Sequence, residues 1–198
     1  ELPGNYPDST AVATRSYMIS STVYVDVQQV AIDGVDTVPH LMGVNSNRRP
    51  VSRTVEVMGF AMVMFELQPG EAFSGAPHKH RNQEELFYVS KGTATWTLKE
   101  GPGGDAETVT VGPNELIHFQ EDDVYQQGVN ESDEVIHAIS IGSPGARHEW
   151  EQALGLADCP ECGEETVHTF VPAADTADQR MPAPEEMVIA CRECGNEL

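Results

Sequence analysis

Residues 77–92 read PHKHRNQEELFYVSKG, and the residue types in this stretch are those of a metal site. On a strand, side chains at i and i+2 point the same way, so His78 and His80 project together with imidazoles close enough to share one cation. Glu85 starts the next β run and shares a face with Phe87 and Val89. A carboxylate on an apolar face needs a compensating cation or hydrogen bonds. Two imidazoles and one carboxylate form a facial set that suits iron, manganese, nickel or zinc and leaves coordination positions open. Such a centre either activates a bound organic molecule or only holds it.

A second constellation lies after residue 158. All four cysteines fall there, as Cys159-Pro-Glu-Cys162-Gly and Cys191-Arg-Glu-Cys194-Gly. Two CxxC pairs in a cytosolic chain read as metal ligands before disulfides. Each glycine permits the tight turn whose backbone amides face thiolate sulfur, and four thiolates on two such knuckles bind zinc tetrahedrally. The segment resembles a zinc ribbon, with ETVHTFVPA and EEMVIAC as strands flanking the mobile loop ADTADQRMPAP. Its spacing also resembles a rubredoxin iron site, but a rubredoxin core holds several aromatics and this segment offers only Phe170, which favours zinc. The ribbon is either a docking module for a protein or a structural zinc that folds a tail too small for its own core.

The elements that must position these residues are strands. TVYVDVQQVAI alternates, VEVMGFAMVMFELQPG is a long β run closed by Pro69-Gly70, and EELFYVSKGTATWTL, ETVTVGPNELIHFQ and EVIHAISIGSPG follow, each bounded by turn residues. In TATWTL, Ala94, Trp96 and Leu98 share one face and the threonines the other. Short strands at this spacing indicate an all-β sandwich or closed barrel. Only ARHEWEQALG, residues 146–155, reads as a helix. The expected organisation is an N-terminal arm over 1–21, a barrel over 22–147, a helical linker over 148–157 and the ribbon over 158–198.

With strands and ligands in place, the chain resembles the cupins. The resemblance covers about residues 50–145 and rests on the turn at Pro69-Gly70, His78-Lys-His80, Glu85 and Gly92. It implies a small jelly-roll barrel, often dimeric, with a metal inside held by His78, His80 and Glu85, and with Glu84 facing away. Ala72 stands where the family has a glycine. The second family motif supplies a fourth histidine a few residues before an asparagine; here GPNELIHFQEDDVYQQGVNES has none at that place, and Gln126 lies four before Asn130. The fourth corner is therefore altered or empty. Gln126 through its carbonyl, Tyr125 through its phenol, or His137 on the face of Val135, Ile139 and Ile141 are the candidates, with a core histidine as the plainer reading of His137 and of His118. Glu84, Tyr88 or the Gln126-Gln127 pair could serve as a base.

Composition narrows the function. Thirty-two acidic residues against eleven basic ones give a net charge of −21, and only three of the basic residues are lysine. Such a surface repels nucleic acid and anionic membrane, and molar salt would screen its self-repulsion within about 3 Å. A halophile's cytoplasm is expected, since no segment reads as a signal peptide or membrane span. Two functions follow. One is a metal-dependent cupin enzyme acting on a small molecule, by iron- or manganese-dependent oxidation of the dioxygenase kind or by isomerase or lyase chemistry. The other is a non-catalytic small-ligand-binding or sensor barrel, with the ribbon as a protein contact and a homodimer as the family-level assembly.

Overall fold

The computed structural model describes residues 12–20, 23–38, 40, 42–145, 152–172 and 187–198. Strands β1 (Val12–Ser20) and β2 (Val23–Val30) pair antiparallel in a two-stranded sheet of their own. The segment read as an arm thus contains a strand, and its partner β2 joins neither barrel sheet. After a 3-10 turn at Ile32–Gly34 come β3 (Arg48–Pro50), a single helical turn α1 (Val51–Thr54) and β4 (Ala61–Leu67). The long β run expected over 55–70 is therefore only its second half, because Glu56 takes a positive φ and residues 57–60 bend before β4 begins.

The remaining strands are β5 (His78–His80), β6 (Glu84–Lys91), β7 (Ala94–Lys99), β8 (Ala106–Val111), β9 (Glu115–Phe119), β10 (Tyr125–Val129), β11 (Ile136–Ser143), β12 (Ala153–Cys159), β13 (Glu164–Pro172) and β14 (Met187–Cys191). They form two sheets, ordered β3-β4-β11-β6-β9 and β14-β13-β12-β5-β10-β7-β8. Alternation sets what each strand buries. Phe65 and Leu67 of β4, Phe87 and Val89 of β6, Ile136 and Ala138 of β11, and Phe119 of β9 point into one core. From the other sheet come Ala94, Trp96 and Val111. Trp96 stacks on Phe73 with centroids 5.1 Å apart, and Phe65 and Phe87 meet Phe73 edge-on. Gly128 is required beneath this cluster: a Cβ there would lie 2.6 Å from the Trp96 ring and 2.7 Å from Phe73.

The ribbon is continuous with the barrel. Residues 153–155, read as the end of a helix, are extended instead; the start of that helix, 146–151, and the loop expected at 174–184 lie outside the described residues. In β12, Ala153, Leu154 and Gly155 pair with His80, Lys79 and His78 of β5, and residues up to Cys159 pair with β13. The open ladder edge of a three-residue strand is a strong template for a further strand, and that long-range pairing overrides the local helical pattern. Two more ties reinforce it. Lys99 of β7 pairs with Glu165 of β13 at 2.5 Å, and Tyr125, Leu154 and Leu156 form a small core on the sheet's outer face, with Val167 packed against it. Among the described residues no helix is long and apolar enough to cross a membrane.

Candidate metal centre

Each residue of the opening motif is set by its place in a ladder. His78 lies opposite Gln126 of β10 on one side and Gly155 of β12 on the other, and His80 lies opposite Ala153. Small residues on β12 leave room above the two imidazoles, whose centroids stand 5.1 Å apart at an interplanar angle of 81°. Glu85 comes from the facing sheet, opposite Gly142 and Phe119. The centre thus bridges the two sheets. His78, His80 and Glu85 donor atoms all lie within 4.8 Å of one another.

Glu85 Oε2 is 3.7 Å from His78 Nε2 and 3.8 Å from His80 Nε2. An ion about 2.1 Å from each of two donors spans at most about 4.2 Å, so these separations are within bridging range. The His78 tautomer fits as well. Its Nδ1–H donates to the Ala76 carbonyl at 3.3 Å, which leaves the Nε2 lone pair facing Glu85; a backbone carbonyl on the other nitrogen is the usual orienting partner of a metal-bound histidine.

The fourth corner is occupied by Gln126, 2 % exposed. Its Nε2 donates to Glu85 Oε2 at 3.0 Å and stands 3.4 Å from His78 Nε2, while its Oε1 accepts from Trp96 Nε1–H at 3.1 Å. The carbonyl expected as a ligand atom is turned away from the centre. Tyr125, one residue earlier, is on the opposite face of the sheet, where Lys79 Nζ sits 5.0 Å over its ring. His137 alternates with the buried Ile136 and Ala138 and so faces outward. Neither belongs to the interior group. The base candidates Glu84 and Tyr88 also face outward, bonded to His118 Nε2 at 2.8 Å and Asn114 Oδ1 at 3.1 Å.

A cavity of about 110 Å³ opens beside the three residues. Phe65, Phe73, Phe87 and Phe170 give it apolar walls, and His40 and Arg48 line it as well. Sequence reasoning missed the last two, because they precede the motif and carry no pattern. Burial, then the Arg48 guanidinium and His78, lower the His40 pKa to about 4. The ring is neutral at pH 7, with Nδ1 accepting from the Met42 amide at 3.1 Å. Phe170 reaches the cavity from the ribbon strand β13 by lying over Gly155, where a Cβ would meet its ring at 2.9 Å.

The four cysteines also converge. Cys159 and Cys194 sulfurs are 3.6 Å apart, and those of Cys162 and Cys191 are 3.9 Å apart, far beyond a disulfide bond. A zinc–sulfur bond of about 2.3 Å in a tetrahedron places sulfurs about 3.8 Å apart, so the cluster has the size of a zinc site. Both knuckles close as expected: Gly163 and Gly195 take positive φ and return their amides to the Cys159 and Cys191 carbonyls at 2.8 and 2.9 Å. The Thr166 hydroxyl, 3.2 Å from Cys191 Sγ, is the main cause that lowers its thiol pKa to about 6.

Residues 63–142 match the family model for the cupin domain. The barrel has the jelly-roll fold of that domain. Similar solved structures include a sugar phosphate isomerase of the cupin superfamily from Silicibacter pomeroyi, 14% identical over 71% of this chain and 92% of that one, with a TM-score of 0.49. A candidate sugar phosphate isomerase from Acidithiobacillus ferrooxidans is 18% identical over 73% of this chain and 86% of that one, with a TM-score of 0.47. Oxalate decarboxylase from Bacillus subtilis is 17% identical over 55% of this chain and 26% of that one, with a TM-score of 0.42. No curated protein matches the chain.

Proposed function

We propose that this cupin binds a divalent metal through His78, His80 and Glu85 and uses it to act on a small organic molecule held in the adjoining cavity. The observation that carries the reading is the meeting of two imidazoles from one sheet and a carboxylate from the other at a cavity wall. Three protein ligands with positions left open are what a catalytic metal needs and a structural one does not. Iron, manganese, nickel or zinc would supply Lewis acidity, and iron or manganese redox chemistry as well. The chain's own part is to orient the ligands, wall off water with four phenyl rings and place Arg48 in the cavity lining. A cavity of about 110 Å³ is below the range of about 300 Å³ and more that drug-sized ligands take. With a permanent cation in its lining, it suits a small organic anion with a short apolar part.

The cysteine cluster would hold zinc, and its role in this reading is to clamp β12 against β5, so that the strand bearing both histidines is held from both sides. The net charge of −21 supports a working environment of high salt in the cytoplasm, and the cupin resemblance supports a homodimer. The test is element-resolved metal content on untagged protein purified in high salt without chelator. One zinc plus a second equivalent of iron, manganese, nickel or zinc, the second lost in the His78→Ala/His80→Ala variant, is the expected result. A single zinc in both proteins would leave the barrel without metal and turn the reading to a non-catalytic ligand-binding barrel.

A further inference from the structure

We propose that Gln126 is a positioning residue of the barrel centre and not one of its ligands: the amide is pinned by Trp96 so that its nitrogen, not its oxygen, faces Glu85 and His78. This rests on the reading of the barrel as a metal site. The orientation follows from two partners, the Trp96 indole and an ionised Glu85, with His78 on the Glu85 side. The indole Nε1–H can only donate, and it meets Gln126 Oε1 at 3.1 Å. An ionised Glu85 can only accept, and its Oε2 lies 3.0 Å from Gln126 Nε2. His78 gives its Nδ1–H to the Ala76 carbonyl, so its Nε2, 3.4 Å from the same amide nitrogen, carries no proton; that lone pair goes to the ion when one binds, and Trp96 and Glu85 then hold the amide.

Turning the amide over would spoil both contacts at once. The NH₂ would face the indole N–H, and Oε1 would face a carboxylate oxygen. Trp96 is fully buried and Gln126 nearly so, so unpaired polar groups there would be costly. An amide nitrogen has no lone pair to give a metal, so the corner where the cupin pattern has a histidine carries a hydrogen-bond donor instead. Its partner oxygen, Glu85 Oε2, keeps a lone pair for the ion while the Gln126 N–H fixes the carboxylate's rotation. The centre therefore has three protein ligands and takes no fourth from Gln126, which fills the corner of the missing histidine.

Cobalt(II) titration of protein whose ribbon is filled with zinc, read by visible absorption, tests this. The Gln126→Leu variant removes the amide and keeps an unligating side chain. It is expected to show the wild-type band positions and intensities with an affinity weaker by about 10- to 100-fold, the size of effect expected from an orienting partner. Shifted or intensified bands would mean that a ligand had been lost, and an unchanged affinity would mean that Gln126 orients nothing; either overturns the proposal. Gln126→His provides a second reading should the leucine variant fold poorly. It is expected to bind cobalt more tightly than wild type with shifted bands, and unshifted bands would show that the corner does not face the ion. Failure of the wild type to take cobalt in the barrel would overturn the metal reading itself, a result separate from equal affinities in wild type and variant.

Discussion

His78 and Gly155 face each other across the β5–β12 ladder. A strand that leads into the cysteine cluster is thus the direct neighbour of the strand that carries both histidines of the candidate centre. The three-residue β5 has β10 on its other side, where the register includes only Gln126 opposite His78, so β12 supplies the greater part of its pairing. The ribbon forms part of the barrel's wall as much as it forms a tail.

If that is so, emptying the ribbon loosens the barrel. In the Cys159→Ser/Cys194→Ser protein the ribbon zinc is expected to be lost, β12 to fray, and barrel metal affinity to fall by at least about tenfold, as for loss of other supporting contacts. Metal content and amide exchange of residues 78–80 measure this. Unchanged exchange and affinity would show the ribbon to be independent.

The seat of Phe170 is equally specific. A Cβ at Gly155 would meet the Phe170 ring at 2.9 and 3.1 Å, so Gly155→Ala is expected to destabilise the fold by about 1–3 kcal/mol. In a Phe170→Leu background the same substitution is expected to cost less than half as much. Urea unfolding of the four proteins gives the coupling directly, and additive effects would contradict the contact.

Asn130 holds the turn behind the metal sheet. It is fully buried, and its amide nitrogen donates to the Leu67 and Glu134 carbonyls at 3.0 and 2.8 Å. Asn130→Ala removes both of these bonds and the Oδ1 acceptor of Ser132, and is expected to lower stability by about 2–4 kcal/mol, with the cysteine-cluster metal retained. Denaturation midpoints and zinc content separate the two effects.

His40 gives a pH signature. Its folded pKa of about 4 lies below the ordinary 6.5, so the unfolded chain takes up a proton before the folded one does. Its contribution is fully present above pH 6.5 and is lost as pH falls toward 4, by roughly 3 kcal/mol at most. The His40→Gln protein is expected to show a flatter stability profile between those values, and proton NMR of the imidazole in wild type should place the titration near 4. A midpoint near 6.5 would contradict the burial argument.

Much of the centre was legible before any coordinates. The i and i+2 spacing put His78 and His80 on one face, and alternation in EELFYVSK put Glu85 inward with Phe87 and Val89 and Glu84 outward. The CxxCG repeats specified the cysteine knuckles down to their positive-φ glycines. Those are short-range facts, governed by the periods of a strand and a turn. What alternation could not reach was the fourth corner, since Tyr125, Gln126 and His137 each had a ligand-type side chain and only strand pairing decides which faces the interior.

The amino-acid sequence by itself thus determined the all-β class, the residues of both candidate ligand sets and the absence of a histidine at the fourth corner, because side-chain period and turn chemistry are local. Only the tertiary structure decided that Gln126 turns its nitrogen to Glu85, since that depends on a tryptophan thirty residues away. It also decided that residues 153–155, where the local pattern favoured a helix, begin a strand that extends the barrel sheet to Cys159. Hydrogen bonds to β5 and β13 outweigh a few tenths of a kcal/mol of helix propensity per residue, and those partners lie too far along the chain for any local pattern to name them.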